Sequence, residues 1–170
     1  MSKRKPAKEV KAKTVSTNFQ GKLSLIIPCY NESKRAANLL KTLKSFDRKW
    51  ENELEIILVD DGSKDDTIKV IETSFPNSFS NKTSFELIQL AENQGKGGAL
   101  KAGVEKASGD FVLTLDADMA TDPSELFKWL RSLPGKNFRD DQILIGSREH
   151  EKSSIKGEFL RRLTETDLFP

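Results

Sequence analysis

The sequence predicts an α/β fold, a mostly parallel sheet covered by helices on both faces. Strand-sized apolar runs alternate with segments whose apolar residues recur at helical spacing. Nearly every apolar run also ends in polar residues that a parallel sheet would gather along one edge: Tyr30-Asn31-Glu32, Asp60-Asp61, Asn93, Asp116 with Asp118, and Arg148. A length of 170 residues suits one domain around one core.

Residues 23–28 read as a buried strand closed by Pro28, and Ser33 opens a helix with Ala36, Leu39, Leu40 and Leu43 on one side. Residues 55–59 form the second strand, stopped by Asp60-Asp61-Gly62-Ser63. Asp65 or Asp66 caps the next helix, which carries Ile68, Ile71 and Phe75. After a polar loop at 76–83 come a third strand at 85–90 and a third helix at 97–107. A fourth strand follows at 111–115. Asp122-Pro123-Ser124-Glu125 combines a capping Asp, Pro at the first helical position and Glu two residues on. A fifth strand at 143–145 and a last helix at 158–166 complete the pattern.

Charge is unevenly spread. Residues 1–20 carry six basic side chains against Glu9, a net +5. The whole chain is +2, so the remaining 150 residues carry −3. Residues 1–20 are expected to be a disordered basic tail and 21–170 the folded domain. The tail is read as a solvated arm or as a contact for anionic lipid headgroups. Nucleic acid is excluded as a partner, because the folded part is acidic and lacks interleaved aromatic and basic residues. No apolar run approaches the roughly 20 residues that span a bilayer. A lone Cys29 rules out an internal disulfide framework and fits a reducing compartment.

Asp116-Ala117-Asp118 carries the most chemistry. A helix cap explains Asp122 but not Asp116, which ends an apolar strand. Two carboxylates so close suit a divalent cation, Mg²⁺ or Mn²⁺, that holds substrate phosphates. Asp60 and Asp61 are turn formers, or one of them accepts hydrogen bonds from a base or ribose. Gly95-Lys96-Gly97-Gly98 fails as a P-loop and as a dinucleotide fingerprint, which leaves a helix start with one lysine suited to a diphosphate. Cys29 reads as a packing residue and His150 as a loop residue. Arg148 and one of Arg161 and Arg162 are candidate phosphate clamps.

Taken together, residues 22–148 resemble the inverting GT-A fold glycosyltransferases of family 2. The matching segments are Leu25-Ile26-Ile27-Pro28-Cys29-Tyr30-Asn31-Glu32, Ile57-Leu58-Val59-Asp60-Asp61-Gly62-Ser63 with Asp66-Thr67, Asn93-Gln94-Gly95-Lys96-Gly97, and Asp116-Ala117-Asp118. Met119-Ala120-Thr121 and Gly146-Ser147-Arg148-x-His150 resemble the dolichyl-phosphate glucosyltransferase branch. The resemblance implies a GT-A, Rossmann-like sheet and glucose transfer from UDP-glucose to dolichyl or another polyprenyl phosphate, in the pathway that builds lipid-linked sugars for N-glycosylation. It implies that Pro28, Tyr30, Glu32 and Asp61 line the base and ribose pocket, that Asp116 and Asp118 serve ribose and metal, and that Lys96, Arg148 and Arg162 serve the phosphates. Asp116, Asp118 and Arg148 are then the candidate catalytic residues. The implied location is peripheral, on the cytoplasmic face of the endoplasmic reticulum in a eukaryote.

Two departures stand out. Glu158 lies near a position where the family has a basic residue. The chain also ends at Pro170, where the family continues into acceptor-site helices, and it lacks the amino-terminal anchor common in eukaryotic members. The competing expectations are a family 2 transferase with another donor such as mannose or GlcNAc, a nucleotidyltransferase, or a donor-binding module without the acceptor half.

Overall fold

A computed structural model describes residues 19–132. It is an α/β arrangement in which strands and helices alternate: β1 (Leu23–Cys29), α1 (Ala36–Asp47), β2 (Leu54–Asp60), α2 (Thr67–Ser74), β3 (Thr83–Gln89), α3 (Gly95–Lys106), β4 (Phe111–Thr114) and α4 (Glu125–Ser132). The four strands are parallel in the order β3-β2-β1-β4. The chain thus steps outward from β1 to β3, then crosses back to place β4 on the other side of β1. The expected strand at 143–145 and helix at 158–166 lie outside the described residues.

Alternation along the strands divides the core between the two faces of the sheet. Leu25, Ile27, Ile56 and Leu58 face a large cluster with Leu39, Leu43 and Phe46 of α1, Ile71 of α2 and Phe127 of α4. Ile26, Ile57 and Val59 face α3, where Ala99 completes a smaller cluster. With β1 and β2 buried almost throughout, both read as continuous apolar runs, as expected of a parallel sheet covered on two sides. Phe19, which composition assigns to the basic tail, is 6% exposed, its ring centroid 5.0 Å from those of both Trp50 and Phe111 in tilted contacts. Phe19 thus belongs to the packed structure although composition places it in the tail, because one aromatic ring outweighs a polar neighbourhood.

Two local expectations are corrected, and a third, left between two residues, is decided. Pro28 does not close β1, which runs on to Cys29. Successive residues of a parallel strand bond to opposite neighbours: Cys29 accepts from Asp61 of the β2 side and Ile26 from Leu115 of the β4 side. The amide hydrogen that Pro28 lacks would have faced β4, whose pairing with β1 ends at Thr114 opposite Ile26. Proline is tolerated in a central strand because its neighbour has already turned away. Second, α1 begins at Ala36 rather than Ser33, whose hydroxyl instead donates to Asp65 at 2.7 Å. Third, Asp65 rather than the N-cap residue Asp66 satisfies the start of α2, accepting the Thr67 amide hydrogen at 3.0 Å and the Thr67 hydroxyl. Asp122 behaves as expected, accepting from the Ser124 amide at 2.7 Å ahead of α4. Among the described residues no helix is long and apolar enough to cross a membrane.

Candidate functional site

The loops that leave β1, β2, β3 and β4 meet at the carboxyl edge of the sheet, beside the crossover between β1 and β4. There they enclose a cavity of about 400 Å³ lined by Pro28, Tyr30, Glu32, Asp61, Lys96, Asp116 and Asp118, among others. In an open parallel sheet this is where ligands bind, since neighbouring loops part at the point where the strand order reverses. The volume lies in the range of a nucleotide-sized pocket.

Each loop is held in place by its neighbours. After β1, Asn31 adopts φ +54°, its amide donating to Ser63 Oγ at 2.8 Å and its Oδ1 accepting from Lys64 N at 2.8 Å. The Glu32 amide donates to Thr67 Oγ1 at 2.7 Å, which joins the same loop to the start of α2. Asp65 receives hydrogen bonds from both Ser33 and Thr67, and although desolvation pushes the other way, they hold its carboxyl at about 2. After β2, Gly62 turns the chain at φ +71°, and a Cβ there would stand 2.9 Å from the Glu92 carbonyl carbon. Only glycine satisfies both the conformation and the close approach. Asp61 Oδ1 then accepts from the Gln94 amide at 2.7 Å, fixing the entry to α3.

The two adjacent aspartates part ways. Asp61 lines the cavity, whereas Asp60 is fully buried and outside the lining; its Oδ2 accepts the Ser63 amide hydrogen at 2.9 Å. Consecutive residues of an extended chain point to opposite sides, so only one of the pair can face a ligand. Cys29 borders the cavity but is no nucleophile. Burial first, then the charges of Asp60, Glu32, Asp65 and Asp61, push its thiol up to about 12.

Beyond β4, Ala117 is buried while Asp116 and Asp118 on either side of it are exposed to the cavity. The turn closes with the Met119 amide on the Asp116 carbonyl at 3.0 Å, Met119 at φ +54°, and Asp118 Oδ1 accepting from the Ala120 amide at 2.9 Å. A left-handed residue without glycine's freedom is a strained conformation of the kind that collects at functional sites. Lys96, in the first turn of α3, places Nζ 2.6 Å from Asp116 Oδ1. Among the described residues no group of three or more His, Cys, Asp or Glu side chains could hold a metal ion. Asp116 and Asp118 do match the one- or two-carboxylate set that binds Mg²⁺ or Mn²⁺ jointly with substrate phosphates and water.

The structure therefore brings Pro28, Tyr30, Glu32, Asp61, Lys96, Asp116 and Asp118 together and leaves Asp60 behind the cavity wall. Arg148 and Arg162 lie outside the described residues. Arg35 also lines the cavity, its Nη1 donating to both Glu32 oxygens at 3.1 and 3.0 Å. Sequence reasoning overlooked it, and its i, i+3 spacing from Glu32 was the available signal.

Comparison with known proteins agrees with this geometry. Residues 24–161 match the model of Glycosyl transferase family 2. The chain is 36% identical over 150 residues to a dolichyl-phosphate beta-glucosyltransferase of Dictyostelium discoideum, covering 83% of this chain and 45% of that protein. The human protein of the same name is 39% identical over 143 residues, covering 78% and 43% respectively. An undecaprenyl-phosphate 4-deoxy-4-formamido-L-arabinose transferase of Pseudomonas savastanoi pv. phaseolicola is 36% identical over 104 residues, 61% of this chain and 30% of that protein. The chain thus spans less than half the length of these relatives. Among solved structures, S. aureus TarS 1–349 in complex with UDP-GlcNAc aligns with TM-score 0.53 at 30% identity, over 65% of this chain and 30% of that one. A mannosyltransferase from Pyrobaculum calidifontis, solved with GDP-Man and Mn²⁺, shares the fold at TM-score 0.56 and 24% identity, over 72% and 36%. These neighbours are GT-A glycosyltransferases, and the parallel sheet flanked by helices belongs to the same class of fold. By the match of its motifs and of most of its length, the chain belongs to glycosyl transferase family 2.

Proposed function

We propose that this chain holds the nucleotide-sugar site of an inverting glycosyltransferase that moves glucose from UDP-glucose to dolichyl or another polyprenyl phosphate. The observation that carries this reading is the convergence of Tyr30, Asp61, Lys96, Asp116 and Asp118 on one cavity at the crossover between β1 and β4. The polyprenyl acceptor is suggested by the names of the relatives, which share a lipid-phosphate acceptor while their sugars differ.

In this reading Asp61 accepts hydrogen bonds from the uracil or ribose, with Tyr30 and Pro28 packing beside the base. Lys96 donates to the diphosphate. Asp116 and Asp118 would hold Mg²⁺ or Mn²⁺, which when bound would supply neutralisation of the charge on the departing UDP. A phosphate acceptor is already anionic near neutral pH, so attack on the anomeric carbon needs no strong general base, and the cavity's unreactive thiol at Cys29 is no obstacle. Transfer to a polyprenyl phosphate would take place at a membrane surface, the endoplasmic reticulum in a eukaryote.

Calorimetry with UDP-glucose and Mn²⁺ tests the assignment. Asp118→Ala should remove the cation-dependent part of binding, a loss of about tenfold or more in affinity; unchanged affinity would sink the metal assignment. A transfer assay with radiolabelled UDP-glucose and dolichyl phosphate then decides whether this chain alone turns over. A second reading, a different sugar on the same nucleotide, is favoured by the UDP-GlcNAc-bound TarS neighbour. Competition among UDP-glucose, UDP-GlcNAc and GDP-mannose separates the two.

A further inference from the structure

The Lys96–Asp116 ion pair lies inside the cavity and does little for the fold. The lysine is 63% exposed and the aspartate 50%, and ion pairs this exposed contribute little to stability. The start of α3 is already anchored by Ala99 in the core and by the Asp61–Gln94 hydrogen bond. Yet the pair occupies Asp116 Oδ1, one of the two oxygens this carboxylate has to offer a divalent cation at the turn. An ammonium and a divalent cation on one carboxylate repel each other, so each weakens the other's hold on it.

We infer that Lys96 is a resident counter-ion of Asp116, displaced by the incoming cation and passed to the diphosphate that arrives with it. The inference rests on the cavity being the donor site. Its consequence is a coupling between ligands. A cation that binds alone strips Lys96 of its partner, whereas a cation that binds with a nucleoside diphosphate gives Lys96 a new anion. Each ligand therefore strengthens the other, and the effect is reciprocal.

The test is Mn²⁺ affinity measured by calorimetry on the full chain, with and without UDP, for the wild type and Lys96→Gln. Without UDP, Lys96→Gln should bind Mn²⁺ about fivefold more tightly, because the competing ammonium is gone. With saturating Mn²⁺ the same variant should bind UDP more weakly, so that the ratio of Mn²⁺ affinities with and without UDP falls. Lys101→Gln removes the same charge from the same helix at a pair with Glu105 outside the cavity, and should change neither. If Lys96→Gln leaves Mn²⁺ affinity unchanged or weaker without UDP, the exchange is overturned and Lys96 is only a phosphate contact. An equal gain in Lys101→Gln overturns it too, since the effect is then general charge. Absence of Mn²⁺ binding in both the wild type and Lys96→Gln overturns it as well. A wild type that binds Mn²⁺ but not UDP defeats the nucleotide reading alone, and the comparison of Mn²⁺ affinities still decides the exchange.

Discussion

Glu55 lies near the amino end of β2, away from the cavity, and shows how a single carboxylate can tie three segments together. It is 8% exposed and accepts from the Ser108 amide at 2.8 Å, the Ser108 hydroxyl at 2.6 Å, Ser24 Oγ at 2.6 Å and Lys22 Nζ at 3.2 Å. Burial alone would raise its pKa. The hydrogen bonds from Ser108, Ser24 and Lys22 outweigh that and lower it from 4.5 to about 2. A depressed folded-state pKa means that the carboxylate's contribution is fully present above pH 4.5 and is lost as the pH falls toward 2. At 1.36 kcal/mol per unit the contribution is roughly 3 kcal/mol as an upper bound. Glu55→Gln should therefore lose up to about this much at pH 7. In urea unfolding its stability should also fall less steeply than the wild type's between pH 4.5 and 2.5. Parallel pH dependence of the two proteins would refute the assignment.

At the scale of elements, α3 approaches the sheet more closely than a side chain allows. A Cβ on Gly103 would stand 2.4 Å from Ile26 Cγ2 and 3.0 Å from Val59 Cγ2. Gly103→Ala gains helix propensity of about 1 kcal/mol, yet overpacking of two fully buried branched residues costs typically 1–3 kcal/mol. The net effect should be a lower denaturation midpoint; a stabilised variant would show that α3 shifts freely. The glycine's place on the inner side of α3 was only partly legible in the sequence: Leu100 and Ala107, at helical spacing from it, pack on the smaller cluster, but Val104, which follows the same apolar pattern, is 47% exposed, and the reason for a glycine was not legible. The same division holds elsewhere. Apolar runs located all four described strands: burial on two faces leaves a strong compositional trace in β1 and β2, while β3 and β4 only alternate between half-buried and exposed residues. Pro28 misled, since its tolerance depends on where β4 stops, a fact about another strand. Asp60 and Asp61 were legible as a pair, but which one faces the cavity depends on the direction of the last strand residue. The Asp65 bridge from Ser33 to Thr67 was invisible, because hydrogen bonds between loops more than thirty residues apart leave no periodic signal.

At the scale of the whole molecule, the cavity is assembled from loops that follow all four described strands and is braced by contacts between them as well as within them. Asp61 holds the Gln94 amide, Asn31 exchanges bonds with Ser63 and Lys64, and Lys96 reaches from α3 to Asp116 after β4. A ligand that touches several of these loops must stabilise the native state as a unit, because unfolding any one of them releases it. If UDP and Mn²⁺ bind there, saturation at one hundred times the dissociation constant adds about 2.7 kcal/mol to stability. For a chain of this size that corresponds to a rise of roughly 5–10 °C in Tm. UDP with Mn²⁺ should give this rise, UDP alone a smaller one, and GDP with Mn²⁺ little, since Asp61 and the loop around Tyr30 would select the base. Equal protection by GDP would remove the uridine preference while leaving a diphosphate site. Protection by the pair no larger than that by Mn²⁺ alone would mean that UDP does not bind the native state, and protection equal to the sum of the two ligands alone would mean that they bind independently, against the coupling that the Lys96 contact implies.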